Sequence, residues 1–142
     1  MLRVSSDRDK RPHQSSRKKM IDTFKCCFIA GLSALHPKFS LRLWCGLLSR
    51  SEDTLNMYRQ SQQHPHMSAY TPKNGVFHYN TKPMAQQGIR TLVYKTPKQR
   101  DTWAQHSVDA WYIGYASNHY RCHCCYTPGT RYEQIAYTVS FS

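Results

Sequence analysis

The sequence predicts an α+β fold in which two helices come first and several short strands follow. Apolar residues recur at three- and four-residue steps between about Arg17 and Tyr58, which is the period of a helix face. After Gly88, aromatic and β-branched residues are concentrated in short runs, as is typical of strands. Proline and glycine punctuate the segment between the two halves, which predicts turns there.

The first helix is predicted over residues 17–35. Its apolar face is formed by Ile21, Phe24, Phe28, Leu32 and Leu35. His36-Pro37 ends the helix, because proline disfavours helical geometry in the residue before it. Residues 1–16 are rich in arginine, lysine, aspartate and serine and have no apolar period, so they are predicted to form a disordered basic tail.

A second helix is predicted from Ser40, which is a favourable N-cap residue, to the region of Tyr58. Its apolar positions are Trp44, Leu47, Leu48, Leu55 and Tyr58. Residues 17–61 therefore form a predicted helical hairpin. Residues 62–88 contain turn signals such as Asn74-Gly75, and they are predicted to be a turn-rich connection.

The strands are predicted within residues 89–142. Runs rich in aromatic and β-branched residues lie at residues 89–95, 110–116, 120–126 and 133–141, and such runs are typical of strands. Pro128-Gly129 indicates a turn between the last two runs.

The composition describes a strongly basic chain. Lysine and arginine number 20 against 8 aspartates and glutamates, which gives a net charge of +12 with histidine neutral. Such a charge favours phosphate backbones and other anionic surfaces without selecting among them. Hydrophobic residues make up 39%, below the roughly 45–50% typical of globular domains. A marginal core is therefore expected.

No targeting signal stands out. The apolar run at residues 26–35 is too short for a membrane span of about 20 residues and starts too late for a secretory signal. We therefore expect no membrane partner and an intracellular location, which includes the nucleus. Disulfides are not expected for the 6 cysteines in this setting.

The cluster Cys122-His123-Cys124-Cys125 raises two chemical alternatives. Structural zinc needs four ligands that converge in a tetrahedron, but along a strand Cys122 and Cys124 face one side while His123 and Cys125 face the other. A cysteine–histidine nucleophile pair also needs a third group that orients the base, and an oxyanion site. Neither is apparent from the spacing, so ordinary strand cysteines are expected.

One segment carries a longer motif. Trp111, Tyr112, Ile113, Gly114 and Ala116 are followed in order by His119, Tyr120, Arg121 and Cys122. In this spacing the nine residues resemble a segment just beyond the integrase core of copia-type retrotransposon polyproteins. A motif is a hypothesis until its context agrees with it, and here the resemblance runs from about residue 14 to residue 141.

The rest of the resemblance lies on both sides of this motif. It is carried by Ile21, Thr23-Phe24-Lys25, Phe28-Ile29-Ala30-Gly31-Leu32, Thr130-Arg131, Glu133, Ile135-Ala136 and Thr138-Val139. It implies a helical hairpin from the end of a ribonuclease-H-like integrase core, followed by a small Src-homology-type β-barrel over residues 89–142. Departures include Ala110, where the family has glycine, and Tyr115, where it has proline; they are compatible with a decayed copy.

The resemblance also implies what the chain lacks. Copia-type integrases carry two aspartates and a glutamate that hold two divalent metal ions, and such ions clamp the attacking and leaving oxygens of a phosphodiester. Lys18 lies at the position of that glutamate, and Mg²⁺ takes oxygen ligands rather than an ammonium group. The family's aspartates lie well upstream, whereas only about 17 residues precede the helix. We therefore expect no catalytic residue, metal or cofactor.

The chain is thus interpreted as a catalytically inactive fragment of a retrotransposon integrase, whose ancestral role was DNA integration. Nonspecific binding of DNA or RNA is the activity we expect to remain. The residues predicted for it are Arg17, Lys18, Lys19 and Lys25 on the first helix, and Lys95, Lys98 and Arg100 before Trp103. Basic loops beside aromatic residues suit backbone binding.

Two alternatives stay open. In the first, the chain is a domesticated interaction module whose partner covers the helical half; in the second, it is a truncated piece of an active integrase. The hairpin belongs to a core whose sheet is missing here, so its apolar faces have each other, the barrel or another chain to cover them. Exposed apolar faces favour self-association.

Overall fold

Two long helices pack against a five-stranded antiparallel sheet, and the predicted α+β class is confirmed. The computed structural model describes residues 12–142. The helices are α1 (Pro12–Ser33), α2 (Trp44–Tyr58) and the single turn α3 (Thr71–Asn74). The strands are β1 (Arg90–Tyr94), β2 (Ser107–Tyr115), β3 (His123–Thr127), β4 (Tyr132–Ala136) and β5 (Val139–Phe141). Short 3₁₀ helices occur at Leu41–Leu43 and Pro97–Gln99.

Helix α1 begins earlier than predicted. It starts at Pro12 rather than at Arg17, and proline is well tolerated in a first turn because its missing N–H has no helical partner there. Residues 1–11 of the predicted basic tail lie outside the described residues, whereas residues 12–16 are helical. The helix ends at Ser33, close to the end predicted from His36-Pro37. Its last turn tightens, because the Leu35 N–H donates to the Leu32 carbonyl at 3.3 Å.

Helix α2 differs from the prediction at both ends. Ser40 precedes the 3₁₀ turn, and its side chain makes no capping hydrogen bond; α2 itself begins at Trp44. Tyr58 was predicted on the apolar face but is 86% exposed, since it lies in the last turn of the helix. Leu47, in the middle of the same face, is fully buried. The helical period was therefore right at the centre of α2 and wrong at its end.

The sheet has the strand order β4-β3-β2-β1-β5. Three predicted strands differ from the observed ones. The run at residues 110–116 is observed as β2, which begins earlier, at Ser107. The run at residues 120–126 becomes a strand only at His123, because Arg121 adopts a left-handed backbone with φ 53° that a strand does not accommodate. The run at residues 133–141 divides into β4 and β5. The predicted turn at Pro128-Gly129 is observed between β3 and β4.

The two faces of the sheet carry different cores. One core contains Val93, Ala110, Tyr112, Cys125 and Ala136, all buried. The other lies beneath the helices, where Leu47 of α2 and Phe39 meet Ile113 of β2. Tyr112 and Ile113 are neighbours in β2 and belong to different cores, as the alternation of side chains along a strand requires. Part of the helical hairpin is thus covered by the sheet that follows it in sequence.

The connection at residues 75–89 fastens the helices to the sheet. The Gln87 side-chain amide donates to the carbonyls of Leu47 in α2, at 3.3 Å, and Ile113 in β2, at 3.4 Å. The Gly88 N–H donates to the Tyr112 carbonyl at 2.7 Å. A segment predicted as a turn-rich connection therefore also holds α2 against β2.

The sheet is open in the part of the chain that the structure describes. Strand β1 pairs with both β2 and β5, whereas β4 and β5 are the two edges and do not pair with each other. Within residues 12–142, no helix is long and apolar enough to cross a bilayer.

Candidate nucleic-acid interface

The loop between β1 and β2 carries three of the predicted basic residues on a defined backbone. Lys95 follows β1 directly, and its N–H donates to the His106 carbonyl at 2.9 Å, which closes the base of the loop. Lys98 lies in the 3₁₀ turn at Pro97–Gln99. The Arg100 Nε donates to the Lys95 carbonyl at 2.7 Å. This bond fixes the guanidinium at one edge and leaves its two terminal nitrogens available.

The same loop presents an aromatic side chain to solvent. Trp103 is 98% exposed, although a tryptophan normally buries most of its ring. Within the described residues the one ion pair is Arg90–Asp109, at 3.0 Å. Lys98 and Arg100 therefore form no ion pair, and neither does the neighbouring Asp101. The loop thus combines unpaired cations with an exposed ring.

A cleft of about 920 Å³ opens beside this loop. Its lining includes Lys95 and Arg100 of the loop and Gln134 of β4. Its floor includes Val93 and Ala136, which belong to the sheet core on the face away from the helices. The cleft is therefore formed by the β1–β2 loop together with β4 and residues 137–138, which precede β5.

The other predicted basic residues belong to a different element. Arg17, Lys18, Lys19 and Lys25 are all on α1, and all are exposed. Among residues 12–142 they form no ion pair, although Asp22 lies among them on the same helix. The structure thus divides the predicted site residues into two groups, one on α1 and one on the β1–β2 loop.

A second polar cluster lies between α2 and the end of β2. The Arg50 guanidinium lies over the Tyr115 ring, 4.6 Å from its centroid, in cation–π geometry. The Tyr115 hydroxyl donates to Asp53 Oδ2 at 2.7 Å, and the Lys82 ammonium lies 5.5 Å from the same ring. Burial, together with the hydrogen bond to Asp53, raises the pKa of Tyr115. The Tyr115 hydroxyl is therefore protonated and donates to Asp53 at physiological pH.

Sequence reasoning missed this cluster. Arg50 is only 6% exposed, and its Nη1 has no hydrogen-bond partner among residues 12–142. The available signal was its spacing, since Arg50 follows the buried Leu47 by three residues and so lies on the same face of α2. The partner Tyr115 is 65 residues further along the chain, and no local pattern links the two.

Within β3, His123, Cys124 and Cys125 alternate as expected of a strand, whereas Cys122 precedes the strand. Cys125 lies in the sheet core, and burial raises the pKa of its thiol to about 12. Cys124 faces the other way and donates to Glu133 Oε2 at 3.7 Å; burial and the charge of Glu133 raise its pKa to about 11. Both thiols are thus protonated near neutral pH and are poor nucleophiles. Burial also lowers the pKa of His123, which packs edge-on against Tyr112 at 5.8 Å.

Metal ligands do not converge in the described part of the chain. No group of three or more histidine, cysteine, aspartate or glutamate side chains has metal-binding geometry there. All six cysteines are free, and Cys26, Cys27 and Cys45 are exposed.

Comparison with known proteins adds no assignment to this geometry. The chain matches no protein-family model, no curated protein and no solved structure at a significant level.

Proposed function

We propose that this chain binds nucleic acid without sequence preference, as a catalytically inactive fragment of a copia-type retrotransposon integrase. The observation that carries the binding proposal is the β1–β2 loop, where Lys95, Lys98 and Arg100 precede the exposed Trp103 and have no ion-pair partner among residues 12–142. Unpaired cations contact phosphates, and each contact releases counterions, so the binding is electrostatic. No recognition helix of known type is apparent in the sequence, which favours contacts to the backbone over contacts to base edges.

The assignment to a retrotransposon integrase rests on the sequence resemblance. In support, β1 lies between β2 and β5, so the first and last strands of the sheet are neighbours. On the strength of that order and of the resemblance, we assign the sheet to the Src-homology-type barrel that the resemblance implies. Lys18 at the position of the family's glutamate supports the proposed inactivity, and we expect no cleavage or joining of labelled DNA with Mg²⁺ or Mn²⁺.

The proposal predicts a steep salt dependence that originates in the loop. Affinity for duplex DNA, measured by fluorescence anisotropy, should fall linearly on logarithmic axes between about 50 and 200 mM salt, with a slope near 0.9 per phosphate contacted. The triple variant Lys95→Ala/Lys98→Ala/Arg100→Ala should reduce that slope by up to about three. The triple variant Arg17→Ala/Lys18→Ala/Lys19→Ala measures how much α1 contributes to the same slope.

The matched control removes the same charge elsewhere. Lys38, Arg42 and Lys73 are exposed and lie outside both basic groups, so their triple alanine variant should leave the slope nearly unchanged. An equal reduction of the salt slope in the control variant would show that net charge alone drives binding. A preference of about 10³ or more for one duplex would contradict nonspecific binding, because that ratio is typical of specific recognition.

A second candidate function is that of an interaction module, and α1 carries the observation in its favour. Met20, Ile21 and Ile29 are exposed on this helix, and Trp44 at the start of α2 is half exposed. A partner or a second copy of the chain that covers this surface would bury them. Sedimentation of the wild type and of the Ile21→Lys/Ile29→Lys variant tests it. Association of the wild type that is lost in the variant would indicate an apolar interface on this surface.

A further inference from the structure

The cleft beside the β1–β2 loop is lined by groups of one charge sign. Among the described residues, Lys95 and Arg100 are the only charged side chains that line it, and no aspartate or glutamate does. Its volume of about 920 Å³ falls in the upper part of the roughly 300–1,000 Å³ range of small-molecule sites. The cleft is thus large enough for a nucleotide-sized anion, and its charge favours one.

The Arg100 guanidinium is already oriented for such a ligand. Its Nε is held by the Lys95 carbonyl at 2.7 Å, so less side-chain freedom is lost when the other nitrogens bind. A planar guanidinium with two free terminal nitrogens suits the paired oxygens of a phosphate. The phosphate is therefore expected at the loop side of the cleft.

Aromatic and polar groups line the rest of the cleft. Tyr94 and Tyr137 are exposed tyrosines, and Tyr137 is 70% exposed. The hydroxyl groups of Thr96 and Thr138 are further hydrogen-bonding groups in the lining. Exposed rings next to a basic groove suit bases, because every base has a face that stacks on an aromatic ring.

We propose that this cleft holds unpaired nucleotides, so that the protein prefers single-stranded nucleic acid to duplex. This inference deepens the proposed function and rests on it. In a duplex the bases are paired and stacked inside the helix, so a duplex offers phosphates to Lys95 and Arg100 but no free base to Tyr137. A single strand offers both. Stacking therefore adds to the electrostatic attraction only when the bases are unpaired.

The test compares one single strand with its duplex. A labelled oligothymidylate of about 12 nucleotides, within the range of site sizes of single-strand binders, should bind at least tenfold more tightly than the same strand paired with oligoadenylate. Tyr137→Ala should weaken single-strand binding by at least about fivefold, the lower end of losses when one stacking ring is removed. Its effect on duplex binding should stay below twofold, and Tyr137→Phe should retain the single-strand affinity.

The matched control is Tyr120→Ala, because Tyr120 is also 70% exposed but lies outside the cleft. Its single-strand affinity should equal that of the wild type. If Tyr137→Ala and Tyr120→Ala both bind the single strand like the wild type while the triple variant of Lys95, Lys98 and Arg100 still weakens binding, the cleft inference fails and the proposed function stands. If the wild type binds neither strand form, both fail. A competition experiment distinguishes acidic peptides. If polyglutamate displaces the labelled oligothymidylate as effectively as an unlabelled oligonucleotide of equal charge does, the cleft is assigned to acidic peptides instead.

Crosslinking locates the base independently of any variant that fails to fold. The wild-type protein is irradiated with a single strand that carries 5-iododeoxyuridine, and the crosslinked peptides are identified by mass spectrometry. Crosslinks at Tyr94 or Tyr137 are expected. Crosslinks confined to Trp103, outside the cleft lining, would place the base on the loop surface and overturn the inference.

Discussion

Arg50 shows how an ionic residue is accommodated in a marginal core. Its alkyl chain lies against Gly114, where an added methyl group would meet it at 3.9 Å, and its guanidinium lies over Tyr115. The residue is 6% exposed, and Nη1 has no acceptor. A buried donor without a partner costs about 1–3 kcal/mol, whereas the alkyl chain contributes packing.

These opposing contributions predict different effects for two substitutions of Arg50. Arg50→Met keeps the length of the side chain and removes the unpaired donor, so the free energy of unfolding should stay within about 1 kcal/mol of the wild type or rise. Arg50→Ala also loses the packing and should lower it by about 1–3 kcal/mol. Urea denaturation measures both. Equal losses for the two variants would mean that the guanidinium itself stabilises the fold.

At the level of elements, local patterns predicted most of the helices and strands. Phe28 and Leu32 of α1, and Leu35 just after it, are half-buried around the helix–sheet core, as their period predicted. The errors occur where backbone geometry overrides composition. Arg121 delays β3, and Ser40 makes no cap. The spacing of apolar residues predicts neither a residue with a left-handed backbone nor the absence of a capping hydrogen bond.

Gly88 provides a test of how the connection joins β1. Its φ is +68°, and an added Cβ would lie 2.5 Å from Leu35 Cδ2. Because a left-handed backbone costs a residue with a side chain about 1–2 kcal/mol and Leu35 must also shift, Gly88→Ala should lower the free energy of unfolding by about 1–3 kcal/mol.

Gly31→Ala is the matched control for this prediction. Gly31 lies in α1 with nothing within 4 Å of an added Cβ, so the substitution should raise the free energy of unfolding by up to about 1 kcal/mol through helix propensity. Thermal denaturation of both variants gives the comparison. A neutral Gly88→Ala variant would show that this turn relaxes freely.

For the whole molecule, the candidate site was predictable only in part. Lys95, Lys98 and Arg100 were predicted because they are neighbours in sequence. The cleft was not, because Val93, Thr127 and Gln134 line it from three different strands or their ends. Only the strand order β4-β3-β2-β1-β5 brings these side chains to one place, and a single sequence does not specify how open the sheet is between β4 and β5.

The helices and the sheet share a core, and this predicts that they unfold together. Leu47 of α2 is fully buried against Ile113 of β2, and Phe39 packs edge-on against Trp111 at 5.7 Å. Leu47→Ala should therefore lower the free energy of unfolding by about 2–5 kcal/mol, from lost burial and the cavity left behind. Coincident loss of far-ultraviolet circular dichroism and tryptophan fluorescence in urea would show a single transition.

The control for this last prediction is Leu41→Ala, since Leu41 is exposed and its loss should change stability by no more than about 0.5 kcal/mol. Hydrogen exchange distinguishes shared from separate cores. If the helices are only loosely attached, Leu47→Ala will increase exchange in α1 and α2 and leave the amides around Ile113 protected. If the core is shared, protection falls in α2 and β2 alike, because the same cavity removes contacts from both sides.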